Sequence, residues 1–246
     1  MGYLTLFISL KCTNACAHCL YGCSPKTGQH MSWDVFTKSV SIAEENRIAS
    51  LNFFGGEPFL NPKFFLMLET ALVKGFSLIL ATNCRPLSKE NVFAKFLDIT
   101  ESYKERIVVI TARDRFHLQF FDPTEVIQLL QSQDYEVLIN DYSNNTVLLS
   151  EHNLNNQELR KLNTTFSCCG GNWKDYLGVL PDGGWAVCPV SLETFGNIFI
   201  NSLEEIIEFK SQIPLRYKEG CTECLKDFKD FQKEFEAIYT AKERRI

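Results

Sequence analysis

The 246-residue sequence has no long apolar segment. It contains no run of about 18 uncharged apolar residues, the minimum for a membrane-spanning helix. No signal-peptide pattern precedes the first predicted strand, so we expect a cytoplasmic protein without a membrane partner. Internal repeats and low-complexity linkers are also absent. With 45% hydrophobic residues, the sequence favours a globular fold with a buried core.

An excess of positive charge is missing as well. The chain has 25 Lys and Arg against 30 Asp and Glu, which gives a net charge of -5 at pH 7. Nucleic-acid binding depends on clustered Lys and Arg that neutralise phosphates. The composition therefore disfavours nucleic acid as a partner.

Cysteine, in contrast, is frequent, with ten residues. In a cytoplasmic chain this number argues against a disulfide framework and for metal binding or catalysis. Cys12, Cys16 and Cys19 have the spacing C-x3-C-x2-C and follow a strand-like run, Tyr3 to Ser9. A structural zinc site normally takes four protein ligands, whereas three thiolates on a 4Fe-4S cluster leave one iron open. That open iron would be the site of the chemistry.

This loop resembles the cluster motif of the radical S-adenosylmethionine (radical SAM) family, with His18 in the aromatic position before the third cysteine. Gly55-Gly56-Glu57-Pro58 resembles the second signature of that family. The two motifs stand in the right order, about one βα unit apart, which argues against chance. The resemblance implies that Cys12, Cys16 and Cys19 hold a 4Fe-4S cluster whose open iron binds SAM. Reductive cleavage of SAM would then give a 5′-deoxyadenosyl radical that abstracts hydrogen from the substrate, with a flavodoxin or ferredoxin-like protein as electron donor.

Strand-like and helix-like segments alternate through the first two thirds of the chain. The predicted strands cover residues 3–9, 50–54, 76–81, 106–111 and 136–140, with a short sixth at 146–150 and a closing helix at 154–162. This alternation predicts an α/β fold, a partial (β/α)6-type barrel over residues 1–165. In such sheets functional groups gather at the C-terminal ends of the strands, and both motifs follow a predicted strand.

The family resemblance also gives roles to residues after the second and third strands. Gly55 and Gly56 would let the backbone approach SAM, and Glu57, followed by Pro58, would pair with the methionine ammonium. Asn83 would also contact the cofactor.

Cys84 stands where related enzymes have glycine. It is either a hydrogen-atom donor to a substrate radical, as in the peptide epimerases of the family, or an inert buried thiol, and the inert reading is favoured. Cys23 is predicted to be inert on the same grounds.

The segment after the fourth strand resembles a third region of the family. Arg113 would reach the SAM carboxylate or ribose, and Asp114 or His117 would accept a proton from the substrate. The alternative is a capped strand end with a satisfied histidine.

Residues 166–246 form a second predicted unit, in which cysteines surround a hairpin at 176–188 with a Pro-Asp-Gly turn. A helix at 202–210 and a last helix within 225–246 follow. The pattern resembles the small α+β auxiliary-cluster domains of the SPASM and twitch type. The resemblance implies one auxiliary 4Fe-4S cluster bound by Cys188, Cys221, Cys224 and one of Cys168 or Cys169, with Cys169 favoured. A four-cysteine zinc knuckle is the alternative.

The substrate is left open between two classes. A peptide that is cross-linked, epimerised or oxidised during ribosomal peptide maturation is favoured, because this chemistry is commonest among the resembled enzymes with auxiliary clusters. A small-molecule dehydrogenase of the aminocyclitol type would match the compact length and the single auxiliary cluster. A non-catalytic metal-binding protein would predict damage to the cysteine triad or to Glu57, and both are intact.

Overall fold

The computed structural model describes residues 2–16, 19, 21–26, 28–140, 176–186 and 194–211. The predicted sixth strand, the closing helix at 154–162 and the last helix within 225–246 lie outside these residues, as does the expected boundary near residue 165. The division into two domains therefore stays a prediction. In the part of the chain that is described, no helix has the length and apolarity needed to cross a bilayer.

Strands and helices alternate along the described chain. They are β1 (Tyr3–Ser9), α1 (Trp33–Glu45), β2 (Ser50–Gly55), α2 (Phe64–Val73), β3 (Ser77–Ala81), α3 (Glu90–Thr100), β4 (Ile107–Ala112), α4 (Arg115–Leu118), α5 (Thr124–Ser132), β5 (Glu136–Asn140), β6 (Gly178–Val179), β7 (Gly184–Ala186), β8 (Thr194–Asn197) and α6 (Leu203–Ser211). The first five predicted strands are confirmed to within one residue at each end. The short helix α4 and the strand β8 were not predicted.

The described strands form one sheet in the order β5-β4-β3-β2-β1-β6-β7-β8. Strands β1 to β5 are parallel to their neighbours, as repeated βα units require. The predicted hairpin is confirmed, and its first strand, β6, runs parallel to β1, with Thr5 opposite Gly178. The hairpin therefore extends the sheet of the βα units instead of starting a separate one.

The alternating side chains of β1 pack against two different layers. Leu4, Leu6 and Ile8 are fully buried in the main core between the sheet and the helices. On the other face, Phe7 makes edge-to-face contacts with Tyr21 at 5.3 Å and with Phe54 at 5.6 Å between ring centroids. Tyr21 thereby fixes the returning half of the cysteine loop to the inner face of the sheet.

Asn61 does more than begin a helix, the role that the sequence predicts for it. Helix α2 starts at Phe64, and Asn61 Oδ1 accepts a hydrogen bond from the Lys63 N–H at 2.9 Å. Its Nδ2 donates to the carbonyls of Ile8 and Met31, both at 2.9 Å. The buried side chain thus joins the end of β1 to the segment that leads into α1.

We predict that Asn61→Ala lowers the free energy of unfolding by about 3 kcal/mol, because three hydrogen bonds are lost and buried polar groups are left without a partner. The matched control is Asn46→Ala. The half-buried Asn46 donates one side-chain hydrogen bond, to Ile42 O at 2.8 Å, and its loss should cost about 1 kcal/mol. Urea unfolding of both variants measures the difference, and equal costs would contradict the linking role.

Candidate functional site

The cysteine loop leaves the C-terminal end of β1 and returns beside its own start. The Cys12 N–H donates to Ser24 O at 3.1 Å, and Lys11 forms a parallel bridge with Ser24. Between these points the Cys19 N–H donates to Cys16 O at 3.0 Å. The three cysteines of the motif therefore project from one closed loop at the edge of the sheet.

The end of β2 touches this loop through its backbone. The Gly56 N–H donates to Ser9 O at 2.7 Å and the Glu57 N–H donates to Lys11 O at 2.9 Å. A Cβ atom on Gly55 would lie 2.0 Å from Ser9 O, and one on Gly56 would lie 2.6 Å from Lys11 O. The two glycines are required here because no side chain fits between the second motif and the cysteine loop.

Glu57 is completely buried between the ends of β2 and β3. Its carboxylate accepts hydrogen bonds from the Thr82 hydroxyl at 3.0 Å, from the Asn83 N–H at 2.9 Å and from the Phe59 N–H at 3.3 Å. Burial raises the pKa of the Glu57 carboxyl to about 7, although these hydrogen bonds act in the opposite direction. Glu57 therefore joins two strand ends and places a titratable acid beneath the site.

The Asn83 side chain connects the end of β3 to the first cysteine. Its Nδ2 lies 2.9 Å from the Thr13 hydroxyl oxygen and 3.5 Å from Cys12 Sγ, and it donates to both. The Asn14 N–H also donates to Cys12 Sγ, at 3.4 Å. Two N–H groups thus face a sulfur that would carry negative charge as an iron ligand.

The thiols of the loop lie within electrostatic reach of one another. Burial and the neighbouring Glu57 and Cys19 raise the pKa of Cys12 to about 11, with its hydrogen bonds opposing the shift. Burial, Cys12 and Cys19 raise the pKa of Cys16 to about 12. A hydrogen bond with Cys23 lowers the pKa of Cys19 to about 6 and raises that of Cys23. These raised pKa values keep Cys12 and Cys16 protonated near pH 7, and a cationic group would stabilise their thiolate forms.

This donor set fits a 4Fe-4S cluster. Among the described residues, no three His, Cys, Asp or Glu side chains come together as they would around a single metal ion. In a cubane each thiolate binds a different iron, so its ligands do not surround a single ion. Three soft thiol donors on one loop, with N–H donors directed at one of the sulfurs, suit the chemistry of such a cluster.

Asp114 and His117 form a hydrogen-bonded pair just after β4. The buried Asp114 carboxylate accepts from the His117 N–H at 3.1 Å, and its Oδ2 lies 3.0 Å from His117 Nδ1. The carboxylate is also close enough to Cys16 to raise its pKa. Arg113 is different: its side chain is 47% exposed and its Nε lies 3.9 Å from Asp122 Oδ1. The structure therefore brings Asp114 and His117 together beside the cysteine loop, and directs Arg113 towards Asp122.

Cys84 has no exposed surface and adopts a left-handed backbone conformation, with φ of 62°. This is the conformation that glycine adopts most readily, which agrees with the family resemblance, in which Cys84 stands in a glycine position. Burial raises the pKa of the Cys84 thiol to about 12, with an opposing contribution from Thr111. In this structure the thiol is part of the core, and its role as a hydrogen-atom donor stays a prediction.

Several site residues had no clear signal in the sequence. Asn14 is buried beside Cys12, and Thr82 bridges to Glu57 and accepts from the Cys84 N–H at 3.1 Å. The only signal for Asn14 and Thr82 in the sequence was their position next to motif residues. The five candidates for the four ligands of the auxiliary cluster lie outside the described residues: Cys168, Cys169, Cys188, Cys221 and Cys224.

Comparison with known protein families gives a match over most of the chain. The family model described as the radical SAM superfamily matches residues 6–229. Among curated proteins, the antilisterial bacteriocin subtilosin biosynthesis protein AlbA of Bacillus subtilis (strain 168) is 25% identical over 120 residues, or 49% of this chain. That match covers 26% of AlbA, about a quarter of its length.

Solved structures show a similar fold at low sequence identity. BtrN in complex with AdoMet and 2-DOIA has a TM-score of 0.63 at 18% identity, covering 89% of this chain and 88% of BtrN. Streptococcus suis SuiB bound to S-adenosylmethionine has a TM-score of 0.52 at 12% identity, covering 87% of this chain and 66% of SuiB. At these identities the similarity concerns the fold alone.

We predict that Thr82→Val lowers the free energy of unfolding by about 2 kcal/mol, because the buried Glu57 carboxylate loses its hydroxyl donor while the side-chain shape is kept. Thr111→Val is the matched control. Thr111 is also buried at a strand end, but its hydroxyl has no nitrogen or oxygen partner among the described residues. Its replacement should change stability by less than about 1 kcal/mol. Urea unfolding of both variants tests the pair, and a larger loss for Thr111→Val would contradict this role of Thr82.

Proposed function

The chain belongs to the radical SAM superfamily, and from this premise we propose that it is an enzyme that binds a 4Fe-4S cluster and SAM at the cysteine loop and abstracts hydrogen from a substrate. The observation that carries the proposal is the loop of Cys12, Cys16 and Cys19 at the C-terminal end of β1. The base of this loop accepts backbone hydrogen bonds from Gly56 and Glu57 at the end of β2. Functional groups of parallel sheets gather at this edge. Sequence motif and fold thus both support a site at this edge.

When bound, the cluster and SAM would together supply a 5′-deoxyadenosyl radical able to abstract hydrogen. The residues of the chain would hold the cluster and the cofactor in place. Asn83 and Asn14 support the Cys12 sulfur through hydrogen bonds. The backbone at Gly55 and Gly56 forms the edge that the methionine end of SAM would approach, with Pro58 beginning the helical turn beyond it.

Glu57 and Arg113 would complete the SAM site through charge. The buried Glu57 carboxylate lies below this edge and favours the methionine ammonium over a neutral or anionic group. The half-exposed Arg113 side chain would have to turn from Asp122 towards the SAM carboxylate or ribose. Both roles remain proposals.

Asp114 and His117 would take up the proton that leaves with substrate oxidation. Because the buried carboxylate holds His117 Nδ1, it fixes the orientation of the ring and makes Nε2 the proton-accepting atom. The carboxylate also stabilises the imidazolium that forms. The alternative is that Asp114 only caps α4, because its carboxylate also accepts a hydrogen bond from the His117 backbone N–H.

We propose in addition one auxiliary 4Fe-4S cluster in a SPASM or twitch-type domain of residues 166–246. Its ligands would be Cys188, Cys221, Cys224 and Cys169 or Cys168. The proposal rests on their number and spacing, since four thiolates complete one cubane. The same set of ligands would also suit a zinc knuckle, which is the alternative.

For the substrate we propose a peptide, modified by cross-linking, epimerisation or oxidation. The support is the partial similarity to AlbA, which is named for the biosynthesis of a bacteriocin. A small-molecule dehydrogenase is the second candidate, because the chain covers 88% of BtrN, whose structure contains 2-DOIA. A precursor peptide encoded beside the gene would favour the first candidate, and sugar-biosynthesis neighbours the second. A flavodoxin or ferredoxin-like protein in the cytoplasm would donate the electron in either case.

Anaerobic reconstitution of the full chain tests the proposal. We predict about eight irons per chain in the unsubstituted protein, because each cubane holds four. In the variant with Cys12→Ala, Cys16→Ala and Cys19→Ala together, about four irons should remain in the auxiliary cluster. With dithionite and SAM, the unsubstituted protein should release 5′-deoxyadenosine and the triple variant should release none above background.

Circular dichroism checks that the triple variant is folded. Retention of SAM cleavage by a folded triple variant would overturn the proposed function. A count of about four irons and one zinc in the unsubstituted protein would overturn the auxiliary cluster alone.

A further inference from the structure

Five apolar side chains form a row across the inner face of the sheet, each within two residues of the C-terminal end of its strand. The strand register defines this row, because residues that lie opposite each other in neighbouring strands point to the same face. Phe7 of β1 is opposite Phe54 of β2. Ile110 of β4 is opposite both Ala81 of β3 and Leu138 of β5. Phe54 and Ala81 each follow one residue of a pair between β2 and β3, so the row is continuous. We call these five residues the apolar row.

The apolar row is more exposed than the opposite face of the same strands. Leu80 and Val109, which precede Ala81 and Ile110, are completely buried in the core against the helices. Ala81 and Ile110 themselves are only half-buried, and Leu138 is 45% exposed. Ligand sites are lined mainly by accessible apolar side chains of this kind, with a few polar groups nearby.

The row is continuous with the candidate site. At one end the Tyr21 ring of the cysteine loop makes edge-to-face contacts with Phe7 at 5.3 Å and with Phe54 at 5.8 Å between ring centroids. Further along, the row crosses β4, and Asp114 and His117 follow directly after that strand. The apolar surface thus borders both the expected cluster loop and the proposed proton acceptor.

We propose that the apolar row is the surface on which the substrate lies, and that it takes an apolar side chain of a peptide. This inference rests on the proposed function and narrows its substrate class. An aminocyclitol carries amino and hydroxyl groups around its ring, and such groups cost free energy when they are placed against apolar surface without hydrogen-bond partners. An apolar side chain gains free energy in the same place, because its surface leaves water.

The polar side chains next to the row do not change this preference. Thr5 and Asn52 are opposite each other on the same face, one position further from the strand ends. The Asn52 Nδ2 donates a hydrogen bond to Thr5 Oγ1 at 3.4 Å, and Thr5 is buried. These two side chains are therefore bonded to each other, and the apolar row separates them from the strand ends.

Leu138→Thr and Ile139→Thr test the row with a matched control. These neighbours on β5 are 45% and 46% exposed, and they point to opposite faces of the sheet. Both replacements remove a similar apolar surface from a half-exposed position, and circular dichroism checks that both variants are folded. Only Leu138→Thr alters the proposed contact surface.

Three probes are titrated into the reconstituted full chain with SAM, without oxygen or reductant, and ligand-observed NMR gives their dissociation constants. They are a blocked glycine-leucine-glycine tripeptide, the same tripeptide with asparagine in place of leucine, and 2-DOIA. We expect the unsubstituted chain to bind the leucine tripeptide at least about threefold more tightly than either other probe, because leucine and asparagine differ in polarity more than in size. Leu138→Thr should lose this preference, and Ile139→Thr should keep it.

Equal binding of the two tripeptides, no measurable binding of either, or tighter binding of 2-DOIA would overturn the inference. It would also fail if Ile139→Thr lost the preference as Leu138→Thr does, since another surface would then be responsible. If Leu138→Thr weakened the binding of SAM alone as much as that of the tripeptide, the row would contact the cofactor instead of the substrate. Formation of 5′-deoxyadenosine by the unsubstituted chain with dithionite tests the proposed function separately. Without that product the proposed function fails, and with it a missing preference overturns the inference alone.

Discussion

The close backbone contact between the end of β2 and the cysteine loop is the constraint on which the site depends. Hydrogen bonds from the Gly56 and Glu57 N–H groups to the carbonyls of Ser9 and Lys11 hold the loop at its base. They form only because glycine leaves no Cβ in the gap. Two motifs that are distant in the sequence are therefore one structural unit, and the loop can present its cysteines from a fixed base.

A second layer of contacts extends this unit across the sheet. The Glu57 carboxylate reaches Thr82 and Asn83 at the end of β3, and Asn83 reaches back to Cys12. The chain of contacts thus runs from β1 to β2 to β3 and returns to its start. A carboxylate buried without a cationic partner costs free energy, and its hydrogen bonds offset part of that cost.

Negative charge accumulates around the loop and defines what it can bind. Burial raises the pKa values of Cys12 and Cys16 most, and the Glu57 and Asp114 carboxylates add to the shifts of Cys12 and Cys16 respectively. Without a cation, protonation of the thiols limits this repulsion. Iron would replace those protons, since thiolates are the form that ligates metal. The nearby carboxylates would also favour the positively charged ammonium and sulfonium of SAM.

The sequence was sufficient for those parts of the fold and site that depend on local pattern. The alternation of strands and helices predicted β1 to β5, and the cysteine spacing and the glycine motif predicted the position of the site. The pairing of β6 with β1 could not be predicted, because contacts between distant segments leave no periodic signal in the sequence. For the same reason the sequence did not reveal the hydrogen bond between Thr82 and Glu57.

The roles of motif residues were only partly predictable. The glycines and the glutamate at the end of β2 suggested contacts with SAM. In the structure Gly56 and Glu57 contact the base of the cysteine loop, and Glu57 also contacts the end of β3. The predictions for Asp114 and His117 named separate residues, and the structure joins them through a hydrogen bond. Such pairings depend on the conformation after β4, including the helix α4 that the pattern did not indicate.

Electron-nuclear double resonance on the reduced protein with SAM tests the central claim most directly. The methionine part of SAM would carry ¹⁵N in its amino group and ¹⁷O in its carboxylate. An iron without a protein thiolate predicts hyperfine coupling of both labels to the cluster, because both groups would bind that iron. A cluster signal that shows no coupling to either label, with SAM present in excess, would contradict the account.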